Sequence, residues 1–115
     1  MRQELIQLKK TKLREMAEVL IGAKEEQCQL RLWQDGKYCA KGVIFKHYYG
    51  VDLGEYACSP LEKCIVNMVQ RQFNKDVDIF IHSAILNMND WKGFTFRQMG
   101  EELLKIESDH GIFPI

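Results

Sequence analysis

Between Gln3 and Ala23, apolar residues recur with the period of a helix. Leu5, Leu8, Leu13, Met16, Val19 and Leu20 fall on one half of a helical wheel, and Glu4, Thr11, Glu15 and Glu18 fall opposite. Gly22 marks the expected end. Lys9 and Lys12 lie within the apolar face. They either snorkel out of it or belong to first turns that project from the domain to meet a partner or a second copy.

From Cys28 the period changes. Cys28, Leu30 and Leu32 alternate with Gln29 and Arg31, and Asp35-Gly36 follows. This predicts a short strand near Cys28 leading into a hairpin turn whose two central residues both take positive φ. Tyr38 to Tyr49 is apolar apart from Lys41, Lys46 and His47, with Gly50 where a helix C-terminal cap belongs. A helix entered by a short strand or turn is expected here, with a second hairpin arm as the alternative.

Three further helices carry clear signals. Ser59-Pro60-Leu61-Glu62 offers a serine N-cap, proline at the first helical position and glutamate at the third. Leu61, Cys64, Ile65, Met68, Val69 and Phe73 then cover more than half the wheel, leaving Lys63, Asn67, Gln70 and Arg71 outward. So wide a stripe predicts a central helix. Asp78 to Met88 is apolar nearly all round except at His82, Ser83 and Asn87, and its length favours a helix over a strand through Val77, Ile79 and Ile81. Thr95 and Gln98 suit a capping box, with Phe94 and Met99 as its hydrophobic staple. Phe96, Met99, Leu103 and Ile106 form the buried stripe of this last helix, and Glu101, Glu102 and Lys105 face water. Ser108 to Ile115 reads as an extended tail. The sum is a mainly α fold: a compact bundle of about five helices in a single globular domain spanning residues 1–115, with a short β-hairpin or strand near residues 28–38.

Composition narrows the setting. At 115 residues, 46% hydrophobic and 28% charged, the chain can bury a core and still dissolve. Sixteen basic and sixteen acidic residues cancel, so no global field draws it to phosphate backbones or anionic lipid. No stretch reaches the ~18 apolar residues of a membrane span, and the start Met1-Arg2-Gln3-Glu4 lacks a signal-peptide core. A cytoplasmic protein without a membrane partner is expected. Cys28, Cys39, Cys58 and Cys64 follow no disulfide pattern and read as reduced thiols.

The chemical constellations are thin. Cys39, His47, Cys58 and Cys64 could supply four zinc ligands, but no Cys-x-x-Cys pair exists, and cysteines in apolar runs read as small core residues. Cys58 precedes a helix N-terminus that would favour a thiolate, yet nothing in the sequence places His47, His82 or His110 beside it. His82, in an apolar stretch, reads as a satisfied buried polar group. The glycines form no phosphate-binding loop, and Asn87, Asn89 and Asp90 ahead of Gly93 fail the spacing of a calcium loop. No catalytic residue, metal site or cofactor is expected, and the chain reads as a non-enzyme.

Two binding readings remain. Arg2, Lys9, Lys10, Lys12 and Arg14 outnumber Glu4 and Glu15 by three in residues 1–15, a basic cluster a small nucleic-acid-binding regulator would use. Phe94 to Leu104 resembles the first helix of a helix-turn-helix, with no recognition helix expected after it. The aromatics Trp33, Tyr48, Tyr49, Tyr56 and Trp91 instead gather near turns and helix ends. Rigid aromatics placed so either anchor a protein interface or close the ends of a small core.

The segments Ile85-Leu86-Asn87-Met88-Asn89-Asp90 and Lys92-Gly93-Phe94-Thr95-Phe96-Arg97-Gln98-Met99-Gly100 resemble the closing motif of small uncharacterised bacterial and phage proteins. In these an Asn-Asp ends one helix, and a glycine and an aromatic lead into an acidic one. Tyr38-Cys39-Ala40-Lys41-Gly42-Val43-Ile44 is similar to their midchain Cys-Ala-x-Gly-Val block. The resemblance implies a mainly helical phage or mobile-element protein and brings no catalytic residue with it. The expectation is a non-enzymatic protein-interaction module, such as a factor that binds and inhibits a host protein. Trp33, Tyr48, Tyr49 and Trp91 are its candidate anchors, and Lys9 and Lys12 its polar flank. Self-association as a homodimer and nucleic-acid binding are the alternatives.

Overall fold

Leu13, Met16, Ala17 and Leu20 recur at helical spacing and are fully buried, while Glu15 and Glu18 stay outside. They form α1 (residues 13–21), which gives way to a turn at Gly22 as its sequence predicts. A computed structural model of the chain describes residues 13–56, 61–77 and 79–110; the expected first turns carrying Leu5, Leu8, Lys9 and Lys12 lie outside them.

Beyond α1 a two-residue hairpin forms between β1 (Trp33–Gln34) and β2 (Lys37–Tyr38). Trp33 pairs with Tyr38 and Gln34 with Lys37 in antiparallel register. Asp35 at φ 51° and Gly36 at φ 81° make the tight turn, whose positive angles match the right-handed twist of the strands. The alternating strand expected from Cys28 does not form. Residues 28–32 bend instead, and Leu30 takes φ 67°. One parallel bridge, Gln27 to Tyr38, and the Cys28 amide on the Tyr38 carbonyl tie its start to β2, and side chains of another element hold the rest.

The central helix is α2 (Ala40–Tyr48). All six residues from Ala40 to Phe45 are buried, Lys41 included. Gly42 allows the helix to lie on the hairpin backbone, since a Cβ there would stand 2.3 Å from the Leu32 carbonyl oxygen. A 3-10 turn at Leu53–Tyr56 follows, with Leu53 buried.

The wide apolar stripe predicted to make α3 (Glu62–Asp76) central is only half used. Val69 and Phe73 are buried, but Leu61, Cys64 and Met68 are exposed. α2 takes the central place because the hairpin, α3 and α4 enclose it from different sides, while α3 has one packed face. The helix also starts later than the serine cap implies: Leu61 stands at its N-cap without a side-chain cap, and Ser59 and Pro60 lie outside the described residues.

α4 (Ile79–Asp90) buries Ile81, Ile85, Met88 and Asn89. It runs antiparallel to α2: the Ala40 amide at the start of α2 reaches Asn89 near the end of α4, and Tyr49 just after α2 reaches Asp76 just before α4. α5 (Phe96–His110) opens on the predicted capping box. The Thr95 amide donates to Gln98 Oε1 (2.9 Å) and the Gln98 amide to Thr95 Oγ1 (3.2 Å). Phe96, Met99 and Leu103 are buried and Ile106 packs against the core. Ser108 to His110, expected in an extended tail, continue the helix. Gly100 brings α5 onto α1, because a Cβ there would lie 2.6 Å from both the Ala17 carbonyl oxygen and Ile21 Cγ1. The fold is thus mainly helical, five α-helices with one small antiparallel sheet among the described residues. None of these helices is long and apolar enough to cross a membrane.

Candidate protein-interaction face

Asn89, 2% exposed, joins α4 to the start of α2 and to the segment at Gln27 and Cys28. Its Oδ1 accepts from the Ala40 amide (3.1 Å) and from Gln27 Nε2 (3.0 Å). Its Nδ2 donates to the Cys28 carbonyl (3.0 Å) and to Asp90 Oδ1 (2.8 Å). Gln27 Nε2 also donates to the Phe94 carbonyl at 2.7 Å. All four polar sites of a buried amide are therefore used, as burial of a polar group requires. The Cys-Ala-x-Gly-Val block and the Asn-Asp block, far apart in sequence, meet at this side chain.

Asp90 extends the arrangement outward by accepting the Leu30 amide at 2.9 Å. A leucine at positive φ is strained by about 1–3 kcal/mol, and the anchored amide holds it there. The result is a leucine 66% exposed beside the C-terminal end of α4, where Trp91 is 73% exposed.

The outward side of α4 continues this apolar surface. At 100° per residue, Leu86, Ile79, Ser83, Asn87, Phe80 and Trp91 occupy an arc of about 140°, and all six are exposed. The Trp91 amide donates to the Asn87 carbonyl, so Trp91 prolongs the same helical turn. None of the six is charged; the half-buried Asp90, whose carboxylate accepts the Leu30 and Asn89 N–H groups, is the one charge on the same arc. Ile79, Phe80, Leu86 and Trp91 together expose on the order of 500 Å² of side chain, interspersed with the polar Ser83, Asn87 and Asp90.

The anchors expected from the sequence are not gathered in one place. Tyr49 donates to Asp76 Oδ2 (2.9 Å) ahead of α4, whereas Trp91 lies just past its end, some 18 Å away along a twelve-residue helix. Tyr48 and Tyr49 are half-buried and stack edge-on with centroids 4.9 Å apart; Tyr49 also meets Phe45 and Phe73. They close one end of the core. Burial and the hydrogen bond from its hydroxyl to Asp76 raise the pKa of Tyr49 far above the ordinary tyrosine value. Trp33, in β1 of the hairpin, is half-buried against the core. Of the basic cluster, Arg14 is exposed on α1, and Arg2, Lys9, Lys10 and Lys12 lie outside the described residues.

Lys41 is the polar residue whose burial the sequence concealed. Its Nζ stands 2.8 Å from His82 Nε2 and 3.3 Å from Nδ1, and 5.8 Å above the centre of the Phe73 ring. Burial lowers the pKa of Lys41; burial and then the Lys41 charge lower that of His82. An ammonium can donate only to an unprotonated ring nitrogen, so the pair is stable with one proton fewer than its full complement. His82 is thus a partnered, half-buried polar group, as its apolar surroundings predict.

The thiols are dispersed. Cys28, Cys39 and Cys64 are free, and Cys58 lies outside the described residues. Burial pushes the Cys39 thiol up to about 11, the reverse of what a nucleophile needs. His47, at the far end of α2 from Cys39, hydrogen-bonds the Glu25 carboxylate, which also accepts from Lys46 at 3.2 Å. Burial alone would raise the Glu25 pKa, but these partners bring it below the ordinary value. Among the described residues, no three His, Cys, Asp or Glu side chains converge on a metal position.

No family model, no curated protein and no solved structure matches this chain.

Proposed function

We propose that the chain is a non-enzymatic protein-interaction module whose outer α4 face docks on an apolar groove or helix of a partner protein. The run of exposed Leu86, Ile79, Phe80 and Trp91 on one arc of α4, with Asp90 its single charge, carries this reading. Interface centres are depleted of charge and enriched in aromatics, and an amphipathic helix laid into a groove is a recurring mode of recognition. Trp91 is the principal anchor at the C-terminal end of the face, with Leu30 beside it and Leu86 and Phe80 along the helix. A stable interface covers about 800 Å² per partner, so the partner must reach past the apolar arc to neighbouring polar surface. The finer reading, a phage or mobile-element factor that inhibits a host protein, rests on the resemblance of its two sequence blocks.

A photo-crosslinking residue placed at Leu86, with a control at exposed Glu101 on α5, tests the proposal in cells. One protein should be joined covalently at position 86 and not at 101. Trp91→Ser should weaken its binding about 30-fold or more, the effect of losing a hot spot. Equal crosslinking at the two positions, or unchanged binding by Trp91→Ser, sinks the proposal. Sedimentation of the purified chain identifies a second copy as the partner if the same substitution abolishes a dimer.

A further inference from the structure

On another part of the surface, Arg31, Leu32, Trp33, Leu53, Lys63 and Val66 line an open cleft of about 340 Å³. Its composition is unusual for surface so small. Among the described residues the lining holds two cations, an indole and three aliphatic side chains, with no carboxylate, amide or hydroxyl side chain. Arg31 and Lys63 are exposed, and neither has an ion-pair partner among the described residues. Lys63 stands in the first turn of α3, so the positive end of that helix adds to the same field.

The indole is fixed before any ligand arrives. Trp33 pairs with Tyr38 across the hairpin. Its Nε1 and the Tyr38 hydroxyl both lie over Gly54, 3.0 and 3.1 Å from where a Cβ would be. The Tyr38 hydroxyl donates to Asp52 Oδ1 (2.8 Å), which also accepts the Gly54 amide (2.9 Å). The neighbouring carboxylate is thereby occupied and turned to the hairpin and the 3-10 turn. A preset aromatic wall loses little entropy on binding.

We propose that this cleft binds a small apolar organic anion. The ligand is an aromatic or branched aliphatic carboxylate whose hydrocarbon part lies on Leu32, Trp33, Leu53 and Val66 and whose charge meets Arg31 and Lys63. The volume is at the small end of ligand pockets, about 300–1,000 Å³. A nucleotide would press its polar base and sugar on aliphatic side chains that offer no hydrogen bonds, and a cationic ligand would meet Arg31 and Lys63 with no counter-charge among the described lining residues. Arginine presents the two-pronged donor geometry that carboxylates accept. The proposal is independent of the α4 face.

Titration of the isotope-labelled chain with phenylacetate, followed by the two indole N–H resonances, tests it; Trp91→Phe assigns them. The Trp33 signal should move saturably, and the uncharged isostere phenylacetamide should bind at least tenfold more weakly. Arg31→Gln and Lys63→Gln should each weaken phenylacetate about tenfold, with the remaining amide spectrum unchanged because both side chains are exposed. Equal binding of phenylacetamide overturns the proposal, as does a shift confined to Trp91. Displacement by inorganic phosphate at the same concentration would show a bare anion site and also overturns it. A peptide ending in a free carboxylate that binds a hundredfold tighter than phenylacetate would replace the small ligand by a protein chain end.

Discussion

Removing the Asn89 side chain should cost far more than its size suggests. In Asn89→Ala, the Ala40 amide and the Cys28 carbonyl lose their partner in surroundings that exclude water. Each buried group left unsatisfied costs about 1–3 kcal/mol. Gln27 and Asp90, only partly buried, can turn to solvent and add little. The loss is therefore about 2–6 kcal/mol, against a total stability of about 5–15 kcal/mol for a domain of ordinary size. Urea unfolding followed by far-ultraviolet circular dichroism should show a lower midpoint with the slope unchanged, and the melting temperature should fall by roughly 10–20 °C. Asn89→Asp keeps the acceptor for Ala40 but faces the Cys28 carbonyl with a second acceptor, so it should also destabilise. Asn87→Ala, exposed on the same helix, should stay within about 0.5 kcal/mol of the parent. A loss below about 1 kcal/mol for Asn89→Ala, or an equal loss for Asn87→Ala, would refute the assignment of Asn89 as the joint of the fold.

Other substitutions test the packing and the buried base pair. Gly42→Ala drives a methyl group into the Leu32 carbonyl, and Gly100→Ala into the Ala17 carbonyl. Overpacking of about 1–3 kcal/mol or more should exceed the gain of about 1 kcal/mol from better helix propensity, and stability no lower than the parent would contradict the close approach. Thr95→Ala should cost about 1 kcal/mol by removing the N-cap, measured as a shift in the urea midpoint; no shift would mean the capping box is idle. Lys41 and His82 both have lowered pKa values, so the unfolded chain binds more protons than the folded one. Stability should accordingly fall as pH drops below 6.5 through the folded His82 pKa, and rise with pH from the folded Lys41 pKa toward 10.5. Lys41→Met should be more stable than the parent at pH 7, with the difference shrinking as pH rises through the folded Lys41 pKa toward 10.5; a constant difference up to that pH would contradict the desolvation of Lys41.

The local signals in the sequence were legible because their physics is local. Asp35-Gly36 specifies its turn through backbone angles alone, and Thr95 with Gln98 caps α5 within one turn. Partition between centre and surface was not legible, because it depends on which elements surround each helix. α3 carries the broader apolar stripe, yet α2 lies in the middle, and Lys41 looked like an outward interruption until α3 and α4 enclosed it. The strand expected at Cys28 failed for the same reason. Alternation favours a ladder, and the Cys28 amide does reach the Tyr38 carbonyl, but Asn89 and Asp90 of α4 take the Cys28 carbonyl and the Leu30 amide, so the pairing stops at a single bridge at Gln27. Of the candidate face, the sequence singled out Trp91 as a residue at a helix end; Leu86, Ile79 and Phe80 were hidden in a segment apolar nearly all round. The basis for finding them was the absence of any charge at positions 79, 80, 83, 86 and 87, read together with one buried side of the same helix.

The joint at Asn89 also sets an order of events during synthesis. Its bonds span 49 residues to Ala40, 61 to Cys28 and 62 to Gln27, and the Gln27 bond to Phe94 spans 67. A chain made from the N-terminus cannot close any of them until α4 has left the ribosome, at about 5–20 residues per second. For those seconds the apolar run from Ala40 to Phe45 waits without the helix that covers it. The fold's centre is written early and sealed late, so the nascent chain is most exposed to aggregation and chaperone capture in that interval.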